Sequence, residues 1–264
     1  MPDSTMPTTV RLDIKELAAD LEARIARTRV RTSPFPHVVI DDVLHPMIRR
    51  ALDARWPDAS RLRPTNYRQR AEVRVSAIAR PSTGADRTFW VALQHLSMRA
   101  ARAIRGRLQR HLSDKYRPLL GVDWRRRLGE PDYLEFDSML AQYHGVVDLV
   151  PHVDHARVVI NGFLYLDDPD QRTPEPVRGT MLYRSLGFAW PSNHPIPPAV
   201  RDRFLREAKD VEWRDNRLLA YVNGPWSFHG VPRHDLGDGR RRLLMFGTLL
   251  DDAATDRVID ASLR

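Results

Sequence analysis

The sequence contains no cysteine. Disulfides, thiolate metal ligands and a cysteine nucleophile are therefore all excluded. It has no apolar run near the ~18 residues that a membrane-spanning helix needs. The N-terminal stretch MPDSTMPTTVRLDIKELAADLEARIARTRV carries no apolar signal-peptide core; it reads as a short polar tail and then a charged helix. The expectation is a cytoplasmic protein with no membrane partner. No internal repeat or low-complexity linker interrupts the chain.

What is present is ordinary for a globular protein. The chain has 264 residues, 42% hydrophobic and 29% charged, enough for one large domain with a sizeable core. The net charge is +8 and the pI about 10.2. Arginine supplies nearly all of this, as in RRRLGE at 125–130 and GRRR at 239–242. Such a chain can bind nucleic acid, acidic lipid or an anionic substrate. Here the charges are spread along the whole length and no nucleic-acid reader motif accompanies them. A nucleic-acid partner is therefore not expected; an anionic substrate is. Nothing in the sequence reads on oligomeric state.

The first half, residues 1–130, reads as mainly helical. Leu12, Ile14, Leu17, Leu21 and Ile25 recur at helical spacing, which predicts a helix over 11–29. Ser33-Pro34-Phe35-Pro36 breaks it, and His37-Val38-Val39-Ile40-Asp41 is a short β-type run. His45-Pro46 opens a second helix ending near Trp56-Pro57. Residues 72–78 form a possible strand, and 86–118 the longest helical pattern. After residue 130 the texture changes. Runs at 133–143, 157–166, 179–185, 217–222 and 242–250 alternate with turn residues, the pattern of an all-β sandwich or jelly roll. The predicted architecture is a mainly β domain, a jelly roll (double-stranded β-helix) over 131–252, packed against N-terminal helices, with 253–264 as a C-terminal tail.

Within the β-rich half, Pro151-His152-Val153-Asp154-His155 carries the first chemical signal. A histidine and an aspartate at i and i+2 on a strand share a face. A further histidine, His229, follows 77 positions after His152, in Trp226-Ser227-Phe228-His229-Gly230-Val231. Two imidazoles and one carboxylate on one face of an octahedron make a facial triad for Fe(II), leaving positions open for a cosubstrate and O2. An H-x-D alone is weak; its setting between a turn at Tyr143-His144-Gly145 and an apolar strand run strengthens it. If the cosubstrate is 2-oxoglutarate, its distal carboxylate needs a cationic clamp, and the arginine fork suits a carboxylate. Arg240, Arg241 and Arg242 are the candidates, and strand alternation allows one parity to point inward.

In order along the chain, these pieces resemble the bacterial Fe(II)/2-oxoglutarate oxygenases related to the prolyl hydroxylases. Pro34-Phe35-Pro36-His37 with the hydrophobics and Asp41 that follow looks like the family's entry strand. Residues 143–154 look like its Tyr, Gly, Pro-His-x-Asp segment. Arg178-Gly179-Thr180-Met181-Leu182 is similar to a Gly-Gly-Thr-x-Leu strand, with Arg178 in place of the first glycine. Residues 216–221 and 227–231 resemble the strand and loop bearing the distal histidine. The resemblance implies a jelly-roll core, metal ligands His152, Asp154 and His229, and Fe(II), 2-oxoglutarate and O2 as the cofactor set. Arg241 best matches the clamp, with Arg242 the alternative; Tyr143 and Thr180 are further candidates for contact with 2-oxoglutarate. His144 and His155 flank the site and are expected outside the ligand set. The triad carboxylate, which related halogenases lack, favours hydroxylation.

The substrate is not legible. Residues 185–215 read as a long connection containing Trp190, Pro191 and His194, and so as a lid on the substrate side. A small molecule, such as an amino acid or a natural-product intermediate, is the first expectation, and a protein or peptide residue the second. The rivals are a nucleic-acid demethylase, a cupin-like metalloenzyme without 2-oxoglutarate, and a non-catalytic jelly-roll binding module.

Overall fold

The structure, a computed structural model, describes residues 13–65, 69–169 and 178–262. Its elements in chain order are α1 (Ile14–Arg27), β1 (His37–Ile40), α2 (Pro46–Asp53), β2 (Arg63–Pro64), β3 (Arg70–Arg74), α3 (Val75–Ala79), α4 (Gly84–Leu108), α5 (Ser113–Leu120) and α6 (Trp124–Leu128). There follow β4 (Tyr133–Glu135), β5 (Met139–His152), β6 (Val158–Asp167), β7 (Thr180–Ser185), α7 (Pro198–Phe204), β8 (Leu205–Val211), β9 (Arg217–Val222), β10 (His229–Leu250) and α8 (Asp252–Ser262).

The strands form one antiparallel system in the order β1-β9-β6-β10-β5-β3-β2, with β4 and β7 also on β10, and β8 on β7. β5 and β10 are long enough to serve both leaves of a jelly roll. The later part of β10 pairs with early β5 and with β6, while its first residues pair with late β5 and with β7. The β5–β10 ladder breaks between Asp235 and Arg240, opposite His144–Val146. Gly145 and Gly237, both at positive φ (62° and 55°), sit at that break. That backbone region is cheap only for glycine, and it lets the paired strands turn from one leaf into the other.

Alternation sorts the residues of the large leaf. Val38, Leu140, Ile160, Leu164, Leu218, Ala220, Leu244 and Phe246 face outward into a core shared with α1, α2, α4, α5 and α8. Ala141, Tyr165, Leu219, Tyr221, Leu243 and Met245 face inward, towards Leu182 of β7 and Val211 of β8. The helices thus cover one face and leave the other for the cavity.

The mainly β jelly roll with N-terminal helices is the architecture expected. Several details differ. The first helix begins at Ile14, capped by Asp13, whose side chain accepts from Lys15 N at 2.8 Å; residues 11–12 of the expected helix lie outside the described residues. The run at 72–78 is the end of β3 followed by α3. The single helix expected over 86–118 is two helices, α4 and α5, with a 3-10 turn at Gln109–His111 between them. That break turns Lys115 and Tyr116 inward, where both are buried. The connection expected over 185–215 contains α7 and β8. β8 was illegible because four exposed residues, Arg206 to Lys209, interrupt any apolar alternation. The C-terminal tail is largely the helix α8, started by Asp251, whose Oδ1 accepts from Ala254 N at 2.7 Å, and anchored by Ala254 and Val258. Residues 263–264 of that tail lie outside the described residues. Among the described residues no helix is long and apolar enough to cross a membrane.

Candidate metal centre and its cavity

His152 ends β5 and His229 opens β10, and the two are directly paired across the ladder. Their ring centroids lie 4.3 Å apart. Asp154 follows in the loop after β5. Its Oδ1 is 3.8 Å from His152 Nε2 and its Oδ2 is 3.4 Å from His229 Nε2. One ligand atom from each of the three residues can be chosen so that all lie within 4.8 Å of one another. Strand end, strand start and loop thus bring together the three residues that the sequence singled out.

Backbone carbonyls fix the tautomers. His152 Nδ1 lies 2.9 Å from Val150 O, and His229 Nδ1 lies 2.9 Å from Ser227 O. A carbonyl can only accept, so each Nδ1 carries a proton and each Nε2 is the nitrogen left facing the site. Burial pushes His229 down to about 4, against the opposing pull of Asp154, so at neutral pH it is an uncharged imidazole. Burial alone would raise Asp154. The two histidines and hydrogen bonds from Tyr221 and Asn161 outweigh it and hold the carboxyl below its ordinary value. Two imidazoles and a carboxylate are a donor set suited to a divalent first-row metal.

The loop that carries Asp154 is held from three directions. Asn223 Oδ1 accepts from Asp154 N at 3.1 Å, and Asn223 Nδ2 donates to His155 O and Val158 O, each at 3.1 Å. Lys115 Nζ, from α5, donates to Ala156 O at 2.7 Å and Val158 O at 2.8 Å. Ser192 Oγ accepts from Ala156 N at 3.2 Å. Burial pushes Lys115 down to about 7, with the charge of Asp154 opposing. None of these supports was read from the sequence, because each is distant along the chain and none falls in a motif.

The triad opens into a cavity of about 450 Å³ between the leaves. Its wall on the large leaf is arranged in cross-strand rows. The first row is Arg70, Tyr143 and Arg241, on β3, β5 and β10. The next contains Leu243 and Tyr165, and the one after that Arg74, Met139, Met245 and Phe163. Asn161 comes last, and Tyr221 is its partner across β6 and β9.

Arg241 is 2% exposed and lines this cavity. Its guanidinium lies 4.8 Å over the Trp213 ring, and Trp213 stacks on Tyr165 at 4.7 Å. Its Nε and Nη2 are buried without any hydrogen-bond partner. Burial pushes it down to about 10, still far above neutrality, so it is a buried cation with unanswered donors. Arg242, the alternative clamp, turns the other way. It pairs with Asp168 at 3.0 Å and lies over Trp56 at 4.9 Å, on the helix-facing side. Arg240 is exposed.

Tyr143 and Thr180 both line the cavity. Arg70 Nη1 donates to Tyr143 OH at 3.5 Å, and Thr180 Oγ1 accepts from Tyr165 OH at 2.7 Å. His144 and His155 are exposed and stand outside the triad. Of the expected lid, Asn193 and Trp213 line the cavity. Phe188 and Trp190 pack into an apolar cluster with Phe228 and Val153, beside the ligands, so this stretch is anchored rather than loose. Among the residues lining the cavity that the sequence did not flag are Arg70, Arg74, Asp137, Asn161, Tyr165 and Trp213. Polar or large residues at inward parity on an apolar strand, such as Asn161 in Val-Ile-Asn-Gly-Phe, are the signal that could have found some of them.

No family model matches the chain. No curated protein matches it either. Among solved structures, a prolyl 4-hydroxylase from Phytophthora capsici superposes with a TM-score of 0.50 at 15% identity, covering 95% of this chain and 70% of that one. The two share a fold. A prolyl-4-hydroxylase from Pseudomonas putida is similar at TM-score 0.44 and 18% identity, over 89% of this chain and 97% of that one. HygX from Streptomyces hygroscopicus, solved with nickel, 2-oxoglutarate and hygromycin B, is similar at TM-score 0.45 and 13% identity, over 81% and 82%.

Proposed function

We propose that this chain is an Fe(II)- and 2-oxoglutarate-dependent oxygenase that hydroxylates a C–H bond of a small molecule. The observation that carries the reading is Arg241. A buried guanidinium with two unanswered donors is costly unless a ligand completes it, and here it shares a cavity with two imidazoles and a carboxylate. A keto acid with a distal carboxylate answers both ends: its keto-acid end suits the metal position, and its far carboxylate the guanidinium fork.

His152, Asp154 and His229 would hold the iron, and Arg241 would orient 2-oxoglutarate, with Tyr143 and Thr180 as the hydroxyls beside it. Bound there, iron and the keto acid would supply the oxidation of 2-oxoglutarate to succinate and CO2 by O2 that drives substrate hydroxylation. The protein's own part is placement and exclusion of water. Trp213 and Tyr165 wall the Arg241 end, while Leu243, Met245 and Phe163 line the way to the triad. The triad carboxylate occupies the place a halide would need, which favours hydroxylation.

A small molecule suits a cavity of about 450 Å³, within the ordinary range for small-ligand sites. Towards the β3 edge it is lined by Arg74 and Asp137. Arg74 is exposed there, and an anionic substituent of the substrate would meet it.

The test is an anaerobic titration of metal-free protein with Fe(II) and then 2-oxoglutarate, read in the visible spectrum. The expected result is a weak charge-transfer band from keto-acid chelation, absent in His152→Ala and weakened in Arg241→Ala. Metal binding without the band would favour a cupin-like metalloenzyme. No metal binding by folded protein would leave a non-catalytic module.

A further inference from the structure

We infer that Tyr221 and Asn161 are positioning residues that confine Asp154 to a single metal-facing oxygen; this rests on the oxygenase reading above. Oδ2 of Asp154 accepts two hydrogen bonds. Tyr221 OH donates at 2.8 Å and Asn161 Nδ2 at 2.7 Å. Two donors fill the strong lone-pair directions of one carboxylate oxygen. No hydrogen bond among the described residues reaches Oδ1, which lies 3.8 Å from His152 Nε2, while Oδ2 lies 3.4 Å from His229 Nε2. The carboxylate therefore presents one saturated and one open oxygen.

The two donors are rigidly placed. They are direct cross-strand partners on β9 and β6, at inward parity. Tyr221 is fully buried and Asn161 nearly so. The Tyr221 ring is held edge-on by Phe35 at 5.6 Å. Tyr221 OH also lies 2.9 Å from His229 Nε2. Because His229 Nδ1 carries that ring's proton, Nε2 can only accept, so the phenol proton has two acceptors to choose from. A cation that takes the Nε2 lone pair leaves the phenol only Asp154 Oδ2. Metal loading thus tightens the clamp on the carboxylate.

The consequence is a count of coordination positions. Two imidazoles and one carboxylate oxygen leave three of the six positions of an octahedron open. A chelating keto acid takes two, and one remains. A carboxylate free to bind through both oxygens would remove one of these and compete with the keto acid. Occupying both lone-pair directions of Oδ2 leaves Oδ1 as the oxygen free to bind and keeps the site open, and residues beyond the ligands commonly tune metal sites in this way.

Tyr221→Phe and Asn161→Leu each remove one donor while nearly keeping shape. Three quantities are read for each: Co(II) affinity, the visible spectrum of bound Co(II), and the 2-oxoglutarate Kd at saturating Fe(II) without oxygen. Both variants should still bind Co(II), with altered bands, and their 2-oxoglutarate Kd should rise about tenfold. A merely structural role would shift the melting temperature and leave the Co(II) bands as they are. Wild-type bands and wild-type Kd in both variants would overturn the inference. Should Asn161→Leu fail to fold, Tyr221→Phe, which keeps the ring, decides alone. Wild-type protein that binds Co(II) but no 2-oxoglutarate would sink the oxygenase reading instead, and the Co(II) spectra would still judge the clamp.

Discussion

Arg241 and Arg242 are neighbours on β10, both buried, and they belong to two different environments. On the helix-facing side, charge is met by charge: Arg242 pairs with Asp168 at 3.0 Å, and Arg49 with Asp215 at 2.6 Å. Asn216 likewise accepts from Leu44 N and donates to Leu44 O, each at 2.8 Å. On the cavity side Arg241 has no carboxylate partner among the described residues, and three candidate ligand atoms gather around one point. The first face is built for stability, because buried polar groups are tolerable when partnered. The second departs from that rule where a ligand would complete it, which is where departures are expected in a functional site.

The comparison can be broken by measurement. The largest effect is expected at the ligands: His229→Ala or Asp154→Ala should abolish detectable Fe(II) binding while circular dichroism reports a folded chain. Next come the two arginines as a pair. Arg241→Met should raise the 2-oxoglutarate Kd about 100-fold, in line with loss of charge-assisted hydrogen bonds worth about 1.5–3 kcal/mol each, and leave the melting temperature unchanged or higher. Arg242→Met should do the reverse. It takes the Arg242 ion pair from buried Asp168, which should lower the melting temperature, and leaves 2-oxoglutarate affinity intact. Exchange of these two phenotypes would overturn the assignment of the faces.

A smaller loss is expected at Gly179, beside Thr180. A Cβ there would lie 1.8 Å from Val211 O and 2.8 Å from Trp213 N. Gly179→Ala must push β7 from β8, and denaturant melts should show a loss of about 3 kcal/mol.

The smallest effect per step concerns Lys115. Burial lowers its folded value from 10.5 to about 7, with Asp154 opposing. Between those values the unfolded chain holds a proton that the folded chain does not. Stability from this group should therefore rise with pH across that window, by at most about 1.4 kcal/mol per pH unit. Below it both states are protonated and the slope disappears. Melts of Lys115→Met should lack the rise.

The triad was legible because each ligand sits in a local pattern: a Pro-His-x-Asp segment beside a strand, and a histidine after a β run. Parity at the arginines was not, because β10 carries register shifts between His229 and Arg240 that defeat counting by twos. The resemblance favoured Arg241; the residues alone left Arg240, Arg241 and Arg242 open. β8 escaped because its exposed residues are charged and its partner β7 lies across α7. Tyr221, Asn161, Asn223 and Lys115 escaped because their roles exist only in the folded chain.

By itself, then, the sequence determined the helical first half, the jelly-roll second half and the three candidate ligands, since periodicity and short motifs are local properties. The tertiary structure alone decided which arginine meets the cavity, which residues fix the Asp154 carboxylate and what anchors the supposed lid. Those are contacts between strands and helices far apart in the chain, and a linear pattern does not encode their geometry.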